Sequence, residues 1–460
     1  KPNVEAEEAT KELADAEVFK GKKRQVETIG IYYHRMTPGG VQKVVSLLVP
    51  LYLEAGYRVV LFTDEKEQGE YELPSRTIRV VLPSALLLSY DRYEERAVLF
   101  RNMLEEHQVD TMLYHGAESR FLLYDMLLVK ALGIPFCVVV HSLFSAEMLR
   151  LNTHIAEKRA TFRLADRLVV LSETEKLFWE SLGIPAVYIP NPIQELTYAK
   201  EEGKYILWLG RLEETEKQTS HSIEIMKRVV KVCPEARMKI VGPEVTHRLV
   251  KNLKKRIKKL GLEKHIEICG MTGDAADYYK EAKIFLCTSA CEAFSMTITE
   301  SKGYGIPLVT YDMPYLEVLK SRQGCICVPQ DDVESAAKAV IRILQEENLR
   351  KELKEQARKS YESLREFDLT EAWEYLLNGL SDADNDLEEV PVSNENVRLL
   401  LETLLDHYEK GCRSNGGKAE DVFLRNLWKI GRAYRFWKEN SWKKTKDIIV
   451  RKIGDTHDKN

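Results

Sequence analysis

The sequence predicts an α/β protein of two Rossmann-like domains facing a central cleft, with a helical C-terminal extension. Three observations lead there. From "TIGIYYH" onward, short apolar runs alternate with amphipathic stretches ("YRVVLFT", "IRVVLP", "VDTMLYH", "IPFCVVVH", "DRLVVLS", "AVYIP"), the pattern of βαβ units on a parallel sheet. Around "YIPNPIQELTYAKEEGKY" the periodicity lapses into Pro, Asn and charge, which suits an interdomain connection. A second set then begins: "YILWLG", "ARMKIVG", "HIEICG", "KIFLCTS", "IPLVTY", "CICVP". Ligands of open α/β sheets sit beyond the carboxyl ends of the strands, so two such domains face to face make a deep cleft.

The elements divide the chain in order. Residues 1–26 are a charged, helical-looking lead-in without an apolar face strong enough to anchor it. Residues 27–192 form the first Rossmann-like domain and 193–380 the second; 381–396 are an acidic linker and 397–460 a basic, aromatic extension. At 460 residues, 44% hydrophobic and 30% charged, the composition is that of a soluble globular protein with room for two or three domains. A formal charge of −4 argues against general nucleic-acid binding. No run approaches the ~20 apolar residues needed to span a bilayer, and no signal peptide is visible. The sequence starts at Lys1 rather than Met, which leaves open a natural N-terminus, with any targeting signal on it, upstream of this residue.

Eight cysteines lie mostly in apolar, strand-like runs and read as reduced core thiols. Cys287 with Cys291, or Cys325 with Cys327, could be half of a metal site, but no nearby His or second Cys pair completes four ligands. Asp382, Asp384 and Asp386 in "SDADNDLEE" imitate a cation-binding loop. That stretch lacks the Gly at the sixth position and the downstream ligand order, so it reads as linker.

Candidate chemistry falls at strand ends. After "TIGIYYH" comes "RMTPGG" and then a helix. Gly39 and Gly40 let a phosphate or sugar approach backbone N–H groups where the helix dipole favours an anion, although two glycines alone also make an ordinary turn. There is no GxGxxG, which disfavours a dinucleotide-dependent oxidoreductase. His141 closes "FCVVVH", where an imidazole would point into the cleft; a lone His at such a place is also often structural. "WLGRLEETEKQ" ends a strand and delivers Arg211 and Lys217, two cations that suit a diphosphate. Gly270, Met271 and Gly273 in "ICGMTGDAADYYKEA" mark a further strand end, where backbone could read a nucleobase edge.

The last such stretch, "ACEAFSMTITESKGYGIP", places Glu292 and Glu300 eight positions apart. Thr297 followed three residues later by Glu300 also fits a capping box, in which Glu300 caps a helix and Glu292 is a loop charge. The rest of the chain decides between the two. In order, "PGGVQ", "GRL" followed by a Lys, "VG" and "EAFSMTITESKGYGIPLV" resemble the retaining GT-B glycosyltransferases of family 4, whose hallmark is the EX7E motif. The resemblance covers roughly residues 27 to 380.

That resemblance implies a GT-B fold and transfer of a hexosyl group from a nucleotide diphosphate sugar, UDP-sugars favoured, to a glycan or carrier-linked acceptor in cell-surface polysaccharide synthesis. Glu292 would hydrogen-bond donor-sugar hydroxyls and Glu300 the ribose, since an acceptor-only carboxylate can take two hydroxyl donors. Backbone N–H groups of Phe294, Ser295 and Met296 would face the sugar and diphosphate. Arg211 and Lys217 become the diphosphate clamp, so no metal or other cofactor is expected. Gly40 would lie near the diphosphate and His141 near the reacting carbon. Two departures stand out: the loop from Arg211 to Lys217 is one residue longer than the common pattern, and Gln218 replaces the usual Gly. A non-catalytic GT-B glycan-binding or scaffold module, or a GT-B sugar-nucleotide epimerase, would share the fold.

Within 425–452 ten Lys/Arg stand against Glu439 and Asp447, a net of +8 that leaves −12 for the remainder. Phe423, Leu427, Ile430, Tyr434 and Trp437 recur at steps of four and three, one apolar stripe of a helix, with Arg425, Lys429 and Arg432 roughly opposite. Such a helix, spanning 420–453, suits the headgroup region of an anionic membrane; packing on the catalytic domains or on another copy of the chain is the alternative. The expected location is cytoplasmic, with this tail offering contact at the inner face of the cell membrane, where a lipid-carried acceptor would be met.

Overall fold

The computed structural model describes residues 26–146, 155–198, 202–245 and 247–380, together with Leu399, Glu402, Thr403, His407 and Lys410. The DxD-like linker and the stripe 423–437 lie outside the described residues. Seven strands, β1 (Thr28–Tyr32), β2 (Arg58–Thr63), β3 (Ile78–Val81), β4 (Thr111–Tyr114), β5 (Phe136–Val139), β6 (Arg167–Val170) and β7 (Ala186–Tyr188), form one sheet. Its order is β3-β2-β1-β4-β5-β6-β7. Six more, β8 (Tyr205–Leu209), β9 (Met238–Val241), β10 (Ile266–Gly270), β11 (Ala282–Cys287), β12 (Leu308–Tyr311) and β13 (Cys325–Val328), form a second sheet, ordered β10-β9-β8-β11-β12-β13. Every pairing is parallel, as in Ile29↔Val59 and Ile206↔Met238.

The strands are short, apolar on both faces and rich in Val and Ile because helices cover both sides of each sheet. In both sheets the order reverses beside the first strand, between β1 and β4 and between β8 and β11. These switch points are where an open α/β sheet leaves a crevice at its carboxyl edge.

The helix Leu369–Gly379 lies in the stretch that sequence grouping puts with the second domain, yet it packs on the first. Trp373 meets the Tyr52 ring edge-on, 5.5 Å between centroids, within a cluster built from β1 and the helix Gly40–Glu54. The chain thus returns across the cleft because this apolar face finds its cover there. A second cluster runs from the first domain's Phe136 and Val138 to Phe285, Phe294 and Leu308 of the second.

Under the carboxyl ends of β2 and β4 sits a buried ionic network. Arg96 bridges Asp64 (Nη1–Oδ1, 2.7 Å) and Asp125 (Nη2–Oδ2, 2.8 Å), and both acid side chains are essentially inaccessible. Tyr32 donates to Asp64, while Tyr93 and Tyr114 donate to Asp125. All seven described cysteines are free thiols. Among the described residues no helix is long and apolar enough to cross a membrane.

Candidate active site

The strand β11 ends at Cys287, and the segment Thr288 to Ser295 lies at the second switch point. It is tied to the loop that follows β8. Thr288 Oγ1 donates to the Lys217 carbonyl (2.8 Å) and the Ala290 N–H to the Glu216 carbonyl (2.6 Å). Lys217 Nζ then reaches Glu292 Oε1 at 2.6 Å, and Ser289 Oγ donates to the same oxygen at 2.7 Å. Burial alone would lower the Lys217 pKa, but the Glu292 carboxylate outweighs it and raises it, so the ammonium stays charged.

The longer loop has its own anchor. The Glu213 carboxylate accepts from the backbone N–H groups of Thr215, Glu216 and Lys217, closing the extra residue into a compact turn. Gln218 sits in the left-handed region at φ 48°, a conformation that favours glycine and explains why a Gly is the usual occupant. Its amide donates to Asp331 Oδ1 at 2.8 Å. Arg211 is more than half exposed and pairs with Glu216 at 3.1 Å. Gly242, at the end of β9, has φ 141°; a Cβ there would lie 1.9 Å from the Gly210 carbonyl oxygen, so only glycine lets these strand ends approach.

Glu300 lies on the helix Met296–Gly303 and is buried. It does not cap that helix. The N-cap is Ser295, at φ 63°, and no side chain caps it, while Glu300 accepts from Tyr279 Oη (2.8 Å) and pairs with Lys43. Lys43 stands on the helix Gly40–Glu54 of the other domain, so the ion pair spans the cleft. Gly39 precedes that helix in extended backbone, and its missing Cβ leaves space that the Gln42 side chain fills; Gly40 has open space beside it. Phe294 is part of the core, whereas Met296 is half-buried. Gly270 ends β10 with φ 78°, its carbonyl accepting from Gly242, and Met271 beyond it is exposed.

His141 follows β5 and lies against His115, which follows β4. His115 Nδ1 and His141 Nε2 are 2.8 Å apart, with the rings stacked at 5.1 Å. Burial lowers His141 to about 4, and burial together with His141 holds His115 well below its usual range, so both rings are neutral near pH 7.

The structure therefore brings Lys217 and Glu292 together, and Glu300 with the first domain's helix Gly40–Glu54. Sequence reasoning missed Lys43, Ser289, Tyr279 and His115. Lys43 carried a signal, three residues past Gly40 in "GGVQK"; the others are ordinary residues whose partners are set by the fold. Among the described residues no three His, Cys, Asp or Glu side chains converge as metal ligands.

Two parallel sheets with facing switch points, and an acidic motif at the second, define the GT-B glycosyltransferase architecture. Residues 38–195 match the family described as Glycosyltransferase Family 4, and residues 193–360 the family described as Glycosyl transferases group 1. The chain belongs to this family of glycosyltransferases. It is 23% identical over 347 residues to an uncharacterized glycosyltransferase of Haemophilus influenzae, covering 74% of this chain and 96% of that protein. It is 25% identical over 333 residues to a phosphatidyl-myo-inositol mannosyltransferase of Mycolicibacterium smegmatis, covering 68% and 83%. Among solved structures, Anabaena HepE in complex with UDP and glucose superposes with a TM-score of 0.61 at 15% identity, covering 77% of this chain and 99% of that one.

Proposed function

We propose that this protein is a retaining, metal-independent hexosyltransferase using a UDP-sugar and a glycan or lipid-carried acceptor at the cytoplasmic side of a membrane. The observation that carries this is the pairing of both motif carboxylates with cations at the switch points: Glu292 with Lys217, and Glu300 with Lys43 across the cleft. Cations at that spacing suit a diphosphate; carboxylates beside them suit sugar hydroxyls. The relatives' printed names, a phosphatidyl-myo-inositol mannosyltransferase and a protein in complex with UDP and glucose, fit this chemistry.

In this reading Arg211 and Lys217 hold the diphosphate and stabilise the charge that grows on it as the bond from the anomeric carbon to the phosphate oxygen breaks. The acceptor hydroxyl attacks the same face of the sugar. Its proton passes to the departing β-phosphate oxygen, giving the nucleoside diphosphate and the new glycoside with retention. Glu292 fixes the sugar through hydroxyls, Glu300 the ribose, and the uncapped start of the helix Met296–Gly303 offers N–H donors of Ser295 and Met296. Gly39, Gly40, Gly270 and Met271 give backbone access, and neutral His141 contributes a polar edge near the reacting carbon.

Glu292→Gln tests it. Turnover should fall by at least about 100-fold while UDP affinity changes little, because the lost contact is to the sugar. Wild-type turnover in the variant would remove the assigned sugar contact. Donor incubated alone and returned as an isomerised sugar would make the protein an epimerase instead.

A further inference from the structure

Beyond the acidic stretch, Leu399, Glu402, Thr403, His407 and Lys410 all have helical backbone, and Thr403 Oγ1 donates to the Leu399 carbonyl one turn earlier. Leu399, Thr403, His407 and Lys410 recur at steps of four, four and three, which is one face of a helix. That face is covered: Thr403, His407 and Lys410 are buried, whereas Glu402, about a quarter-turn away, is exposed.

What covers it belongs to both domains. His407 Nδ1 lies 2.6 Å from Ser145 Oγ in the first, and His407 Nε2 lies 3.1 Å from the Ala290 carbonyl in the second. A carbonyl can only accept, so Nε2 carries the proton, and in the neutral ring Nδ1 accepts from the Ser145 hydroxyl. The Tyr315 ring stands edge-on to the imidazole at 5.9 Å, and its hydroxyl accepts from the Glu292 N–H at 3.4 Å. Lys410 donates to Gln330, whose own amide donates to the Asp312 carbonyl.

The two ends of this bridge land beside the chemistry. Ala290 is two residues before Glu292, and Ser145 is four residues after His141. We propose that His407 is a positioning residue for glycosyl transfer, holding the loop that bears Glu292 in register with the loop that bears His141. Thr403, His407 and Lys410 then form a third wall of the catalytic cleft. Directed bonds from one buried ring fix both loops, and the position of the sugar relative to the acceptor hydroxyl depends on that register, where an error of about 1 Å can cost about 100-fold in rate. This inference rests on the donor-site reading given above for its catalytic consequence, though the bridge itself does not.

The test uses the full chain. In His407→Ala, amide hydrogen exchange should rise about ten-fold or more at residues 289–293 and 141–146 together, with β1 and β9 unchanged. No rise, or a rise on one side only, overturns the bridge. If His407→Ala does not fold, Ser145→Ala, which removes only the first-domain end, should raise exchange at residues 141–146, and no rise there would equally overturn the bridge. With a UDP-sugar that the wild-type protein turns over, His407→Ala should lower kcat about ten-fold or more while donor KM and UDP Kd stay within about two-fold, and His407→Gln, which keeps a donor for the Ala290 carbonyl, should recover part of the loss. Parallel loss of UDP affinity, or no rescue, would make His407 a packing residue only. A wild-type chain that neither binds UDP nor turns over any UDP-sugar would sink the donor-site reading, while the exchange result would still decide the bridge.

Discussion

At the scale of single residues, what matters is which group keeps its charge and where. Arg211 is the most exposed of the cations assigned to the diphosphate, so its contact is partly screened. Arg211→Ala should weaken UDP binding by about ten-fold, the low end of the ~1.5–3 kcal/mol range for a charge-assisted bond; unchanged affinity by calorimetry would return it to the solvated loop charges. Glu175 behaves oppositely. It is fully buried beside the Trp179 side chain and the Leu171 and Phe144 backbone, and burial pushes its carboxyl up to about 8. The folded chain therefore keeps a proton there that the unfolded chain releases near 4.5, so stability falls as pH rises from 4.5 through about 8, by at most about 1.4 kcal/mol per pH unit. Glu175→Gln, an uncharged isostere, should flatten the fall of melting temperature between pH 6 and 8; an unaltered slope would show the shift to be wrong. His141 has the other sign: depressed to about 4, it costs stability as pH drops from 6.5 towards 4.

At the scale of elements, the sequence made the strand ends legible and left their partners hidden. Apolar runs of four to six residues announce strands, Gly210 and Gly270 mark where two of them stop and Gly39 where the next helix starts, because period and punctuation are local properties. The 27–192 and 193–380 grouping rests on the same local signal. It could not show that Leu369–Gly379 folds back onto Tyr52, nor that Lys43 meets Glu300 from 257 residues away. The Thr297–Glu300 capping box was a sound local option that lost to a tertiary one, since Tyr279 and Lys43 give the carboxylate better partners. The network of Arg96 was equally hidden: nothing in "DRYEERAVLF" says which of its two arginines is buried. Because Arg96 is the sole cation bonded to both Asp64 and Asp125 among the described residues, Arg96→Leu leaves two buried carboxylates without it and should destabilise the first domain by about 3–5 kcal/mol in urea unfolding. A change under 1 kcal/mol would mean that water reaches the acids when the arginine is gone.

At the scale of the whole molecule, the two sheets are joined by contacts that cross the cleft: Lys43 with Glu300, the Glu173 N–H with Glu317, and His407 between Ser145 and Ala290. In the proposed reading a nucleotide held by Glu300, Lys217 and Arg211 of the second domain would lie beside Lys43 of the first, and it would bind the folded state alone. At a concentration of about 100 times its Kd such a ligand adds about 2.7 kcal/mol, and a unit of 150–250 residues gains about 2–4 °C per kcal/mol. UDP should accordingly raise the melting temperature by about 5–10 °C, and more than GDP, dTDP or ADP at equal concentration. A larger response to GDP would reassign the base of the donor while leaving the site in place. No response to any of the four would remove the nucleotide from this cleft, and with it the reading of Glu292 and Glu300 as sugar and ribose contacts.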